Sequence, residues 1–193
     1  MKKDTGKTKY ILLGLMAKHP QTGYSIKKSI EYEFRHFWQE SYGQIYPTLK
    51  ILVDQGFAET SETEATPNGR RTITYTITEE GQTELRRWLS EVPDVEKLRY
   101  EILLKVSFGT TTEPEIIDQH LDAFIARNEA SLAEMEVFLT VFKDLEVHRN
   151  DILGSELTAL CGKYLYTAMK DWAVEAKKKI SDQKELQNET KNP

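Results

Sequence analysis

The stretch that most constrains this fold is residues 41–56, SYGQIYPTLKILVDQG, which has the pattern of one short amphipathic helix. Apolar residues recur three or four positions apart and predict a buried side formed by Ile45, Leu49, Leu52 and Val53, flanked by Ile51. The other side carries Gln44, Thr48 and Lys50, with Tyr46 near the start. Pro47 fits best in a first turn and Gly56 is a natural stop, so the helix is expected to begin near residues 41–44.

Two strand-like segments, residues 57–63 and 71–78, follow this helix directly. Asn68 and Gly69 between them form a strong hairpin-turn signal, and Arg70 and Arg71 come next. A helix that leads straight into a hairpin is the layout of a winged helix-turn-helix, whose helix enters the major groove of DNA. The alternative is an ordinary amphipathic helix beside a charged, solvated hairpin, because helical periodicity alone carries no DNA-specific signal.

Two further helices are predicted before this stretch. Residues 10–18 are apolar on most sides, which is typical of a helix held between two surfaces, so Leu12 and Leu15 are expected to contact a partner subunit. Residues 1–9 are polar and basic, and we expect them to be mobile. Residues 24–38 form the second helix, and the unpaired N–H groups at its start, near Tyr24, Ser25 and Lys28, would suit a phosphate. The alternative for such a helix start is simply to bind water.

The second half of the chain is predicted to be almost entirely helical. Residues 95–108 form one helix, and a start signal at residues 112–115 opens a long helix that reaches about residue 148. Its seven-residue seam contains one polar member, Asn128, among Leu121, Ile125, Leu132, Met135, Leu139 and Phe142. The last helix ends near residue 180 and has two apolar stripes, which include Leu157, Leu165 and Trp172. We interpret both long helices as a dimer arm, and the alternative is a helical hairpin within one chain.

Composition excludes several classes of protein. The net charge is −5, but residues 1–91 carry 13 Lys and Arg against 12 Asp and Glu, so the predicted DNA-binding half is nearly neutral. The single cysteine, Cys161, permits neither an intrachain disulfide nor a cysteine zinc cluster. The four histidines lack metal-binding spacing, and no nucleotide-binding or nucleophile motif is present. We therefore predict no enzyme activity, no metal, no cofactor and no membrane span, with cytoplasm as the default location.

The first half resembles the PadR family of transcriptional regulators. The resemblance lies in YILLGL at residues 10–15, GYSI at 23–26, FW at 37–38, GQIYPTL at 43–49, GF at 56–57, YTITEEG at 75–81 and LRRWL at 85–89. These segments cover most of residues 8–91 in order. The helical second half is similar in length and pattern to the longer C-terminal domain of subfamily 1 and of virulence activators.

The resemblance implies a homodimeric winged-helix protein that binds an inverted repeat in double-stranded DNA, most often as a repressor. The residues it places at the DNA are Gly23, Tyr24 and Ser25 at the start of the second helix, then Gln44, Tyr46, Pro47 and Lys50, and by position alone Asn68, Arg70 and Arg71. Some family members release DNA when they bind a planar aromatic compound, so Phe34, Trp38, Trp88 and Tyr100 are candidates for a pocket between the domains. The alternative for these aromatic residues is a place in the core.

The predicted fold is therefore mainly α with a small β-hairpin. Residues 1–92 form a winged helix-turn-helix, residues 93–181 form an α-helical dimerisation or effector domain, and residues 182–193 form a disordered tail. The predicted dimer interface contains Leu12, Leu15, Leu121, Leu132, Leu157, Leu165 and Trp172. Two alternative functions stay open at this point, a winged-helix module that binds another protein and a transcriptional activator.

Overall fold

The structure is a computed structural model that describes residues 5–38, 42–63, 72–144 and 149–191. The chain divides into two compact units, Met1–Val95 and Glu96–Pro193. The boundary predicted at residue 92 lies close to this division. The functions assigned to the two units stay predictions.

The described residues of the first unit form four helices around a small sheet. Its elements are α1 (Thr5–Lys18), β1 (Gln21–Thr22), α2 (Gly23–Ser29), α3 (Tyr42–Asp54), β2 (Ala58–Thr63), β3 (Thr72–Ile77) and α4 (Glu79–Leu89). A π-helical turn, Ile30–Phe34, extends α2. The sheet is antiparallel with the strand order β1-β3-β2, and Gln21 and Ala58 lie opposite Tyr75 and Ile77 of β3. The predicted hairpin is confirmed, and β1 is a third strand that sequence analysis did not predict.

The core of the first unit surrounds α1 on several sides. Its fully buried side chains include Leu12, Leu13, Ile26, Ile45, Leu49 and Leu52. Leu15 is only 2% exposed, so neither Leu12 nor Leu15 has surface left for a partner subunit, and their predicted place in a dimer interface is wrong. The apolar surface around α1 is covered by α3, β3 and α4 of the same unit instead. The helix also begins at Thr5, and Thr8 is fully buried, so residues 5–9 are not a mobile tail.

Local signals set the ends of α3 and α4. α3 begins at Tyr42, within the predicted range. Gly56, predicted to stop the helix, follows its end with a φ of +74°. Thr78 caps α4, because its hydroxyl accepts a hydrogen bond from the Gly81 N–H at 3.1 Å. The second helix is shorter than predicted, because the chain turns after Phe34, whose carbonyl accepts hydrogen bonds from the N–H groups of Phe37 and Trp38. Phe37 is consequently exposed.

In the second unit, the described residues form a long helical hairpin and one short helix. Its elements are α5 (Glu101–Ser107), a 3₁₀ turn (Gly109–Thr111), α6 (Pro114–Asp144) and α7 (Arg149–Lys191). Glu115 at the start of α6 forms an ion pair with Lys184 in the last part of α7 at 2.8 Å, and Glu136 further along α6 pairs with Lys163 in the first half of α7 at 3.5 Å. The two helices therefore run antiparallel. Within the described residues, none of the helices combines the length and apolar character that a bilayer span needs.

The predicted seam of α6 packs inside this hairpin. Leu121, Asn128 and Met135 are buried, and Phe124 of α6 meets Trp172 of α7 edge to face at 5.8 Å between ring centroids. Leu121 is fully buried against its own chain, which corrects its assignment to a dimer interface. Trp172 packs against the same core but is only half-buried, so its place in the interface stays a prediction. The Asn128 amide donates to the Phe124 carbonyl at 2.7 Å, so its polar group is satisfied within α6.

Two helix ends differ from the predictions. α5 begins at Glu101 rather than near residue 95, because Val92, Val95 and Leu98 are strongly exposed and bury no apolar side. α7 continues to Lys191, whereas residues 182–193 were expected to be a disordered tail. The sequence from 181 to 191 lacks Pro and Gly and is rich in Lys, Glu and Gln, which favour helix.

Candidate nucleic-acid interface

The helix α3 has one buried and one exposed side. Ile45, Leu49 and Leu52 are fully buried and hold the helix against the core of the first unit. Tyr46 is 50% exposed, and Pro47 and Lys50 are also exposed on the opposite side. A ring, a proline and an ammonium group are therefore presented together on a firmly anchored helix.

Two polar residues of α3 differ from the predicted arrangement. Thr48 is only 8% exposed, so it does not lie on the exposed side of α3. Its hydroxyl donates to the Gln44 carbonyl at 2.6 Å. Gln44 itself is half-buried. Pro47 lies in the second turn rather than the first, and since proline has no N–H it cannot donate to the carbonyl one turn before it.

The start of α2 is closed by a network of hydroxyl groups. The Thr22 hydroxyl accepts from the Ser25 N–H at 3.0 Å, and the Ser25 hydroxyl accepts from the Thr22 N–H at 2.9 Å, which is a reciprocal capping box. The Ser25 hydroxyl also donates to the buried side-chain amide oxygen of Gln21. Ser25, predicted to meet a phosphate, already uses its hydroxyl to hold the helix start.

Tyr24 and Lys28 lie one turn apart on the exposed side of α2. The Lys28 ammonium lies 5.0 Å from the centroid of the Tyr24 ring, within the range of a cation–π contact. The neighbouring Lys27 forms an ion pair with Glu31 at 2.9 Å. Of these two lysines, Lys28 is the more exposed.

The start of α2 touches α3 through Gly23 and Tyr46. A β-carbon placed on Gly23 would lie 2.5 Å from Cε1 of the Tyr46 ring, so only glycine fits here without movement. Tyr46 also lies close to Tyr75 of β3, and the pKa of the Tyr75 phenol is raised, first by burial and second by the charge of Tyr46. Sequence analysis missed this contact, since periodicity does not report which elements meet.

The hairpin presents a mixed surface along its strands. Glu59, Thr60, Ser61 and Glu62 of β2 are exposed. Asn68, Arg70 and Arg71, the predicted contacts at the tip, lie outside the described residues. Their role stays a prediction.

The four aromatic candidates for an effector pocket have different neighbours. Phe34 packs against the core of the first unit and meets Phe37 edge to face, and Trp88 stacks on Tyr10 with ring centroids 4.5 Å apart. Trp38 is half-buried. Tyr100 packs against the core of the second unit. Phe34, Trp88 and Tyr100 thus have packing roles of their own, and the pocket stays a prediction.

Comparison with known proteins decides the family. The profile of the "Transcriptional regulator PadR-like family" matches residues 12–87, and that of "Virulence activator alpha C-term" matches residues 98–181. The negative transcriptional regulator PadR of Bacillus subtilis (strain 168) is 33% identical over 130 residues, which cover 66% of this chain and 70% of that protein. This chain belongs to the PadR-like family of transcriptional regulators. It is a DNA-binding regulator and not an enzyme.

Solved structures of PadR support the same assignment. Bacillus subtilis PadR in complex with operator DNA matches with a TM-score of 0.78 and 25% identity, over 89% of this chain and 98% of that chain. Bacillus subtilis PadR in complex with p-coumaric acid matches with a TM-score of 0.75 and 23% identity, over 94% of this chain and 99% of that chain. The winged-helix fold of the first unit is therefore the fold of a PadR protein.

Proposed function

We propose that this PadR-like protein is a repressor that binds an inverted-repeat operator as a homodimer and releases it when a small aromatic effector binds. The observation that carries the proposal is the match, over 89% of this chain, to a PadR structure that holds operator DNA. The relative at 33% identity is a negative regulator by name, which supports the sign of the regulation.

The exposed side of α3 supports the DNA-binding step. The major groove of B-DNA admits one α-helix, and the exposed Tyr46, Pro47 and Lys50 are the side chains that α3 offers to it. Tyr24 and Lys28 at the start of α2 would lie against the phosphate backbone beside the groove. In this arrangement the ammonium groups of Lys50 and Lys28 attract the negatively charged DNA, and the ring and hydroxyl of Tyr46 contact the groove by packing and hydrogen bonding.

An exposed apolar patch on the second unit supports the homodimer. The α7 patch consists of Leu153, Leu157, Leu160 and Tyr164, which are all exposed. They recur three or four positions apart and therefore share one side of α7, away from Gly162, which lies against Met135 of α6. Such a concentration of apolar side chains on a regulator is best covered by a second copy. Of the predicted interface residues, Leu157 remains in this patch, and Leu165 and the half-buried Leu132 are nearby on the same hairpin.

A homodimer explains how an effector would control DNA binding. Two copies of α3 reach the half-sites of an inverted repeat only when they lie about one helical turn, roughly 34 Å, apart. A ligand that binds one dimer geometry more tightly than the other shifts this distance. Since a relative is solved with p-coumaric acid, we propose a small aromatic acid as the class of effector.

Selection of genomic DNA fragments on the purified protein tests the proposal. We expect an inverted repeat to emerge, with one dimer bound per site by light scattering and an affinity that falls steeply between 50 and 200 mM salt, as roughly expected for phosphate contacts. Recovery of no common motif, or no retention at low salt, would contradict the repressor and favour a protein-interaction module.

The effector step has its own measurement. Fluorescence anisotropy with the selected duplex is repeated with p-coumaric acid, and with benzoic acid as a smaller control. We expect p-coumaric acid to weaken DNA binding. If neither compound changes the affinity while the operator is still bound, the class of effector proposed here is wrong, although the repressor stands.

A further inference from the structure

We infer that Gly23 is a positioning residue for DNA binding, which acts by holding the ring of Tyr46 in place between the start of α2 and the wing strand β3. The inference rests on the DNA-binding function proposed above. It concerns a residue that touches no DNA in this scheme and controls one that does.

The first observation is the closeness of α2 and α3 at this point. A β-carbon on Gly23 would lie 2.5 Å from Cε1, 2.9 Å from Cζ and 3.0 Å from the hydroxyl oxygen of Tyr46. Gly23 is buried, whereas Tyr46 remains half exposed. The ring therefore has one side against the backbone of α2 and keeps surface that DNA can reach.

The second observation is the position of β3 relative to the same ring. β1 pairs with β3 so that Gln21 lies opposite Tyr75, and Gly23 follows two residues later. The pKa of the Tyr75 phenol is raised, first by its burial and second by the charge of Tyr46. Tyr46 is thus in contact with the start of α2 and close to the strand that leads out of the wing.

The start of α2 is itself fixed firmly. The buried Gln21 side chain accepts from the Ser25 hydroxyl and lies 2.8 Å from the His19 ring nitrogen. The capping box links Thr22, just before Gly23, to Ser25, two residues after it, and so holds the first turn of α2. Because the backbone around Gly23 is held on both sides, a methyl group added there has to displace the Tyr46 ring.

The expected effect separates folding from function. The group that would clash is the outer end of a half-exposed side chain, which can swing toward solvent without unpacking the core. The Gly23→Ala variant should therefore unfold within about 3 °C of the wild type. The ring would no longer be held in its original position on the exposed side of α3, and DNA affinity should fall.

A double-mutant cycle tests the inference on the duplex that the wild type selects. Gly23→Ala should weaken affinity about tenfold, in line with the loss of one good contact. In a Tyr46→Ala background the same change should weaken DNA affinity less than about twofold, because the ring through which Gly23 acts is no longer present. The control is Gly14→Ala in α1, where a β-carbon meets nothing within 4 Å, and it should leave affinity unchanged.

Three results would overturn the inference. The first is that Gly23→Ala leaves affinity unaltered, the second that it weakens affinity equally in both backgrounds, and the third that it lowers the unfolding midpoint by far more than about 3 °C. If the wild type retains no DNA, the proposed function fails by itself, and the contact is tested by NMR instead. The ring resonances of Tyr46 and Tyr75 should then shift in Gly23→Ala and stay in place in Gly14→Ala, and unmoved resonances in Gly23→Ala would refute the contact.

Discussion

Lys50 stands on the exposed side of α3, one turn beyond Tyr46. An ammonium group at that position can neutralise one phosphate and release its counterion. We expect Lys50→Ala to weaken binding to specific and random DNA alike, and to reduce the slope of log affinity against log salt by about one. The measurement is fluorescence anisotropy over a salt series.

A charge-matched control accompanies this variant. Lys178 is an exposed lysine on α7 in the second unit, and Lys178→Ala should leave both the affinity and the salt slope as in the wild type. If Lys50→Ala lowers affinity for the selected duplex alone and keeps the slope, Lys50 contacts a base edge rather than a phosphate.

Gly81 near the start of α4 differs from Gly23 in what surrounds it. A β-carbon there would lie 2.1 Å from the carbonyl oxygen of Phe57, which also accepts the Thr78 N–H. Backbone cannot swing aside as the end of a side chain can, so Gly81→Ala should lower the free energy of unfolding by about 2–3 kcal/mol. Urea unfolding measures the change.

Gly14→Ala is the matched control for Gly81→Ala. It adds the same methyl group inside a helix with open space around it, and should raise the free energy of unfolding by about 0.5–1 kcal/mol. Equal effects at Gly81 and Gly14 would mean that the short approach to Phe57 does not constrain the fold.

At the scale of elements, hydrogen bonds to the Glu84 carboxylate link α1 to α4. Glu84 accepts hydrogen bonds from Arg87 at 2.8 Å, Lys9 at 2.8 Å and Tyr10 at 3.0 Å, and its side chain is largely buried. The Arg87 guanidinium, followed by Lys9, holds the pKa of Glu84 far below its usual range. Beside it the Tyr10 and Trp88 rings stack nearly parallel, so the same two helices also share an apolar contact.

The depressed pKa of Glu84 predicts a pH dependence of stability. Because the folded pKa lies below the ordinary value of 4.5, the ionised carboxylate stabilises the fold above that pH, and this stability is lost as pH falls below it. Glu84→Gln should lower the free energy of unfolding by about 1 kcal/mol at pH 7 and flatten its decline between about pH 5 and pH 3.

Unfolding by urea at several pH values checks this. Glu129→Gln, at an exposed position on α6, is the control and should follow the wild-type curve. A Glu84→Gln curve parallel to that of the wild type down to pH 3 would show that another group controls the acid response.

For the whole molecule, the α7 patch is the surface on which the proposed homodimer depends. Leu157 lies within it and is 55% exposed. A buried carboxylate without a partner is costly, so Leu157→Glu should convert the dimer into a monomer and weaken operator binding at least tenfold. Light scattering and anisotropy measure the two effects.

Leu89→Glu is the matched control, because Leu89 is an exposed leucine on α4, outside the patch. It should stay dimeric and bind operator normally. If Leu157→Glu remains a dimer while Leu89→Glu does not, the interface lies on the first unit. If neither variant changes the assembly, the patch is not the dimer interface.

The sequence by itself determined the elements whose ends depend on neighbouring residues. The span of α3, the stop at Gly56, the hairpin and the cap at Thr78 follow from periodicity, backbone conformation and side-chain caps, which act within a few residues. The family could also be recognised, because its motifs follow one another at fixed spacing. The exposed side of α3 was largely predictable for the same reason, since the positions of Tyr46 and Lys50 follow from helical geometry.

Tertiary structure decided which surfaces meet. Periodicity shows that Leu12 and Leu121 are buried but does not name the neighbour, and in both cases it is the same chain rather than a partner subunit. Thr48 was predicted to lie on the exposed side of α3, but packing within the unit leaves it only 8% exposed. The short strand β1 and the contact of Gly23 with Tyr46 depend on pairing between residues far apart in sequence. Such contacts are set by packing over the whole unit, which no local pattern encodes.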